Sequence, residues 1–159
     1  MEKATFAAGC FWGVEAAFRK VSGVVSTACG YIGGRTRNPT YEEVCTDETG
    51  HAEAVELVYD PAKVSYEALL AVFWDIHDPT TVDRQGDDEG SQYRSAVFFH
   101  APAQRAAAEA SKAALEASGR YPDKIVTQVL PVPEFFRAEE YHQNYFEKKG
   151  VSACGLRKK

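Results

Sequence analysis

The chain of 159 residues holds one methionine, Met1, and four cysteines, and it carries no C-x-x-C pair. The cysteines, Cys10, Cys29, Cys45 and Cys154, are separated by 19, 16 and 109 positions. That spacing excludes the usual zinc-ligand patterns and argues against a disulfide framework in a chain of this size. Redox or catalytic use of a thiol is the sharper reading. No apolar run nears the ~18 residues that a membrane helix requires. The opening Met1-Glu2-Lys3 and the stretch from Ala4 to Val14 do not make a signal peptide, because Thr5, Gly9 and Gly13 interrupt it and no small-residue cleavage pattern follows. No basic stripe is present: the net charge is −5, and the one basic cluster is Arg157-Lys158-Lys159. Nucleic-acid binding is therefore not expected. No phosphate-binding glycine fingerprint occurs either, since Gly30-Tyr31-Ile32-Gly33-Gly34 has the wrong spacing.

What remains is ordinary globular material, 45% hydrophobic and 26% charged, of about one domain's length. It reads as a soluble, cytoplasmic protein. Residues 1–159 are expected to form a single catalytic domain, with 150–159 a flexible tail. The periodicity predicts a strand at Lys3 to Ala8, a helix from Phe11 to Val21 and a strand from Val24 to Ile32. A polar connection over 35–51 follows, with a helical turn near Thr40, then a strand from Ala52 to Tyr59 ended by Asp60-Pro61. Ser65 caps a predicted helix to His77. Residues Asp78 to Gln92 read as a long loop, and loops of that length in compact domains are usually functional. A strand from Tyr93 to His100, a helix from Pro102 to Ser118, a strand from Ile125 to Pro131 and a helix from Ala138 to Lys149 complete the chain. This order suggests an α+β two-layer sandwich with a ferredoxin-like core, whose mixed, mainly antiparallel sheet carries helices packed on it.

Three features carry chemistry. Cys10 lies at a strand-to-helix junction in Gly9-Cys10-Phe11-Trp12-Gly13. There it faces the positive end of the helix and unpaired backbone N–H groups, both of which favour thiolate. The alternative is that Cys10 is a small buried hydrophobe. Phe11 and Trp12 are adjacent and cannot both face one helical stripe, so at least one is available to line a pocket. Glu53 is the second feature. Alternation along Ala52-Glu53-Ala54-Val55-Glu56-Leu57-Val58-Tyr59 places it on the face of Val55, Leu57 and Tyr59. It is either a solvated strand end, toward which the residues alone lean, or a partly buried acid able to donate a proton near neutral pH. The third is Cys154, flanked by Gly150 and Gly155: a mobile resolving thiol, or an unpaired cysteine without a role. Asp87-Asp88-Glu89 lacks alternating calcium-ligand spacing and reads as a solvated charge run. The four histidines are scattered, which leaves a Cys–His hydrolase open.

Several ordered segments resemble the A-class peptide methionine sulfoxide reductases, which act on the S epimer. They are Gly9-Cys10-Phe11-Trp12-Gly13, Gly30-Tyr31-Ile32-Gly33-Gly34, Asn38-Pro39-Thr40-Tyr41, Gly50-His51-Ala52-Glu53-Ala54-Val55 and His77-Asp78-Pro79. The match continues through Arg84-Gln85-Gly86-Asp87-Asp88, Gln92-Tyr93-Arg94-Ser95 and Glu140-Tyr141-His142-Gln143-Asn144-Tyr145. The resemblance implies that Cys10 attacks the sulfoxide sulfur and that Glu53 protonates its oxygen. It implies that Tyr41 and Tyr93 donate hydrogen bonds to that oxygen and that Asp88 holds the polar side of the site. Phe11 and Trp12 would form the apolar pocket for the substrate methyl group. Cys154 would resolve the Cys10 sulfenic acid as a Cys10–Cys154 disulfide, reduced in turn by thioredoxin. Cys29 and Cys45 read as structural. The substrate would be methionine sulfoxide in proteins, peptides or free form. No metal or organic cofactor is needed, and a monomer is expected.

Overall fold

Six strands form the central sheet of the computed structural model, which describes residues 1–149. In spatial order these are β7 (Gln128–Pro131), β6 (Ser95–Phe99), β1 (Glu2–Ala8), β3 (Ala52–Tyr59), β2 (Val24–Ile32) and β8 (Phe135–Arg137). Five of the chain's elements matter for the helix-covered face: α1 (Phe11–Arg19), α2 (Tyr41–Cys45), α3 (Tyr66–Asp75), α4 (Pro102–Ala117) and α5 (Tyr145–Lys149). The β1–β3, β2–β3, β1–β6 and β2–β8 ladders are antiparallel, and β6–β7 is parallel. The fold is thus α+β with a mixed sheet. Among the described residues no helix is long and apolar enough to cross a membrane.

Alternation decides which side chains meet the helices. Ala4, Phe6 and Ala8 of β1, Cys29 and Tyr31 of β2, and Val55, Leu57 and Tyr59 of β3 join the main core with Phe11, Val14 and Phe18 of α1 and Leu69, Leu70 and Phe73 of α3. The odd residues of β3 include Glu53, so the sheet carries that carboxylate into the apolar layer. The opposite face is thinner. Ala7, Ile32, Ala52, Ala54, Ala96 and Phe98 pack there under Val132 and Phe135. Gly30 has no side chain because Phe135 occupies the place: a Cβ would lie 2.3 Å from its ring.

Several regions differ from the sequence expectation: β8 forms where no strand is expected, β7 begins at Gln128 rather than Ile125, and two further regions change character. The loop expected over Asp78 to Gln92 contains a small hairpin, β4 (Arg84–Gln85) and β5 (Asp88–Glu89), and a 3-10 turn at Ser91–Tyr93. The helix expected from Ala138 to Lys149 is broken. A 3-10 turn covers Glu140–His142, and α5 begins only at Tyr145, because Asn144 sits at φ 54 in the left-handed region. The tail 150–159, with Cys154, lies outside the described residues.

Candidate active site

Cys10 occupies the N-cap of α1, the position that Ser, Thr, Asp or Asn normally fills. Its side chain makes no capping bond. Thr40 and Ser65, at the starts of α2 and α3, do cap their helices. The sulfur is consequently left to the site, and the nearby backbone N–H groups of Trp12 and Gly13 favour its charged form. Gly9 brings the chain into this turn at φ +99, where a Cβ would press on Gln85 of the hairpin at 2.9 Å.

The helix terminus favours thiolate as expected, but it does not alone set the ionisation of Cys10. Burial pushes its pKa up to about 12, with the charges of Glu53 and Asp88 acting in the same direction. The two N–H donors pull the other way and do not outweigh desolvation beside two carboxylates. Cys10 rests as a thiol.

Glu53 is 1% exposed, which settles its environment against the solvated strand end. Burial raises its pKa to about 8; the N–H of Phe11 opposes this, and the charge of Asp88 adds to it. That N–H donates to Oε1 at 3.1 Å, while Oε2 is buried with no hydrogen-bond partner. The carboxyl is therefore protonated at neutral pH, one residue's backbone away from Cys10, with one oxygen uncommitted. Glu53 faces Tyr31 across the β2–β3 ladder.

Tyr41, the first residue of α2, and Tyr93, at the end of the 3-10 turn, complete the cluster. Burial and then the charge of Glu53 raise both phenols well above the ordinary range, so both remain donors. The Tyr93 phenol also feels Asp88 and Cys10, and the Tyr41 hydroxyl is bonded to Cys45. Asp88, an exposed residue of β5, acts electrostatically on Cys10, Glu53 and Tyr93. The structure thus brings Cys10, Glu53, Tyr41, Tyr93 and Asp88 together.

Phe11 and Trp12 part company. Phe11 is 1% exposed and packs tilted against Tyr31 and His142 in the core, so its contribution is its backbone N–H to Glu53. Trp12 is half-buried. Its face stacks on Tyr145 with ring centroids 3.8 Å apart, and its indole N–H donates to His142 Nδ1 at 2.9 Å. A pocket of about 640 Å³ borders Cys10 and Trp12, and its lining includes the apolar Val14, Ile76 and Phe146 and the polar Gln85 and Asp88.

The other thiols are placed differently from Cys10. Cys29 is fully buried, and its thiol donates to Glu15 Oε1 at 3.3 Å. Cys45 is exposed on α2 beside Tyr41. The histidines have partners elsewhere. His51 bonds the Gly34 N–H and Thr36 carbonyl, His77 bonds the Phe73 carbonyl and Ser95, His100 bonds Thr5, and His142 bonds Trp12. A Cys–His hydrolase gains no support from these contacts.

Three polar residues are not legible as site residues in the sequence. Glu15 lies fully buried, accepting from Thr27, from Cys29 and from the Asn144 N–H at 2.7 Å. Its position on the stripe of Phe11, Val14 and Phe18 is the available signal. Gln143 pairs its amide with the N–H and C=O of Cys29, and Glu139 bonds Tyr31 and Tyr41. Their partners lie about 100 residues away in sequence, and nothing local announces them.

The profile of the peptide methionine sulfoxide reductases matches residues 2–159. A peptide methionine sulfoxide reductase of Methanosarcina mazei is 63% identical over 150 residues, covering 94% of this chain and 71% of its own length. Among solved structures, reduced Mxr1 from Saccharomyces cerevisiae superposes with a TM-score of 0.85 at 37% identity, over 94% of this chain and 86% of that one. Mxr1 in complex with Trx2 gives a TM-score of 0.61 at 27% identity, over 91% of this chain and 84% of that one.

Proposed function

The chain belongs to the peptide methionine sulfoxide reductase family, and on that premise we propose how its residues reduce the S epimer of methionine sulfoxide. The enzyme is a thiol-dependent oxidoreductase recycled by thioredoxin. The observation that carries the assignment of roles is Glu53: a buried, neutral carboxyl held by the Phe11 N–H, with Oε2 unpartnered near the half-buried Cys10 thiol. A sulfoxide sulfur becomes electrophilic when its oxygen is protonated, and Glu53 is the group that can supply the proton. Tyr41 and Tyr93 donate to the same oxygen. As the oxygen takes the Glu53 proton, the resulting carboxylate accepts the Cys10 proton and the sulfur attacks. In balance, one oxygen atom passes to Cys10 and two electrons pass to the substrate sulfur. Methionine leaves and Cys10 becomes a sulfenic acid. Trp12, held by Tyr145 and His142, offers the apolar wall for the methyl group, and Phe11 packs against the same His142.

Cys154 then condenses with the sulfenic acid, releasing water, and a thioredoxin dithiol reduces the disulfide by exchange. Residues 1–159 act as one catalytic domain, monomeric and cytoplasmic, with 150–159 delivering Cys154. The spatial order β6-β1-β3-β2, all antiparallel, supports the ferredoxin-like reading of the core. The deciding experiment offers each epimer of a methionine sulfoxide peptide with dithiothreitol and measures the methionine formed. Turnover confined to the S epimer is expected; turnover of neither epimer sinks the reading.

A further inference from the structure

Glu139 has no role in the chemistry above, yet its carboxylate joins the two elements that must be registered for it. Oε1 accepts the Tyr31 hydroxyl at 2.7 Å, and Oε2 accepts the Tyr41 backbone N–H at 2.8 Å. Tyr31 stands directly across the ladder from Glu53. Tyr41 begins α2, a helix of five residues. The Thr40–Glu43 capping box fixes that helix only internally, through reciprocal bonds within residues 40–43. Its ties to the rest of the fold include the buried Val44, the Tyr41 ring against His142 (centroids 4.4 Å apart) and Trp12, and the Glu139 bond. One carboxylate therefore spans from the strand pair that carries the acid to the first residue of the helix that carries the oxygen donor.

Charged acceptors make stronger and more directional bonds than neutral ones. Desolvation works against the Glu139 charge, but the Tyr41 N–H, its own backbone N–H, the Tyr31 hydroxyl and the nearby His142 together prevail and hold the carboxyl below its usual range. Both oxygens are thereby committed as acceptors. The Tyr31 hydroxyl is spent on Glu139, and the Tyr41 hydroxyl, which rests on Cys45, must leave it to reach the substrate oxygen.

We propose that Glu139 is a positioning residue that sets the Tyr41 hydroxyl relative to Glu53 for the attack on the sulfoxide. This rests on the reading of Tyr41 as an oxygen donor. Glu139 touches no reacting atom. It acts on the chemical step by fixing where one donor starts its side chain.

The test is a double-mutant cycle in single turnover with the S epimer. Glu139→Gln keeps the size and one acceptor but loses the second, and it is expected to slow methionine release roughly tenfold with little change in KM. Tyr41→Phe should slow the same step. In the Tyr41→Phe background, Glu139→Gln should cost less than about twofold, because the donor being positioned is already gone. An equal cost in both backgrounds overturns the proposal, since a merely structural role is indifferent to the Tyr41 hydroxyl. A wild-type rate for Glu139→Gln beside a slow Tyr41→Phe overturns it as well, while leaving the Tyr41 reading intact. If Tyr41→Phe itself runs at the wild-type rate, the Tyr41 reading fails and the proposal with it. Should Glu139→Gln not fold, Tyr31→Phe releases the carboxylate from the Glu53 strand pair and must show the same non-additivity with Tyr41→Phe.

Discussion

Two kinds of backbone carry the site, and they do different work. Cys10 and Glu53 stand on regular structure, at the β1–α1 junction and in the central strand β3. Tyr41, Tyr93 and Asp88 stand on a five-residue helix, a 3-10 turn and a two-residue strand. The ionisable pair needs the core, because burial is what raises both pKa values. The donors need only a place, and a short segment supplies one if something braces it. The braces are visible: Glu139 on Tyr41, the Asp78 N–H on Gln85 at 2.9 Å, and Asp47 accepting the Ser91 N–H at 3.0 Å. Residues set by burial should fail by chemistry when changed, and residues set by braces should fail by degree.

The largest effect belongs to the core region. Cys10→Ser should abolish methionine formation in single turnover while the fold persists, because an alcohol cannot replace the sulfur as nucleophile or take up the oxygen. Residual activity at even a tenth of wild type would remove Cys10 from the mechanism.

Glu53→Gln comes next. Positioned acid catalysis contributes about 10²–10⁴-fold, and a loss in that range is expected at pH 7. The wild-type rate should fall as pH rises through about 8, where Glu53 gives up its proton. The variant should lack that inflection. A pH-rate profile that keeps the inflection in Glu53→Gln would assign it to another group.

In the braced region, Tyr41→Phe and Tyr93→Phe should each slow the reductive step by about tenfold. That lies below the ~10²-fold or more lost with a fixed oxyanion donor, because each phenol can substitute partly for the other. Removing both should cost more than the product of the single losses. Simple additivity in a stopped-flow series would mean that they address different atoms.

The same division explains what the sequence reveals. The limits of β2 and β3 and the face occupied by Glu53 follow from alternation, since a period of two is a local property. The braced elements are poorly legible. The 84–89 hairpin has two-residue strands that carry no pattern, and the helix expected over Ala138 to Lys149 is interrupted where Gln143 turns its amide to the Cys29 backbone. The Asn144 N–H is drawn there to Glu15, an interaction 129 positions away in sequence. The ionisation of Cys10 escapes a local reading for a related reason. The helix N–H groups are local and legible, but the opposing burial and the charges of Glu53 and Asp88 arrive through the fold.

The last effect concerns stability rather than rate, and its sign follows from the burial of Glu53. Glu53 binds its proton more tightly folded than unfolded, with a pKa of about 8 against 4.5. Between those values the unfolded chain is ionised at this position while the folded one is not, so the native state loses stability steadily as pH rises from about 4.5 to about 8 and then stays at the lower level. Glutamine carries no charge to bury and can still accept the Phe11 N–H. Glu53→Gln should therefore match wild type near pH 4 and exceed it above pH 8, by on the order of 1–5 kcal/mol, since a tenfold difference in proton affinity between the folded and unfolded chain is worth ~1.4 kcal/mol. Urea unfolding at pH 5 and pH 9 measures the difference. Asp88→Asn removes a charge that helps to raise the Glu53 pKa, so it should narrow that pH window without abolishing it. If Glu53→Gln shows no relative gain at pH 9, the carboxyl is not held neutral by burial, and the proton it lends to the sulfoxide must come from elsewhere.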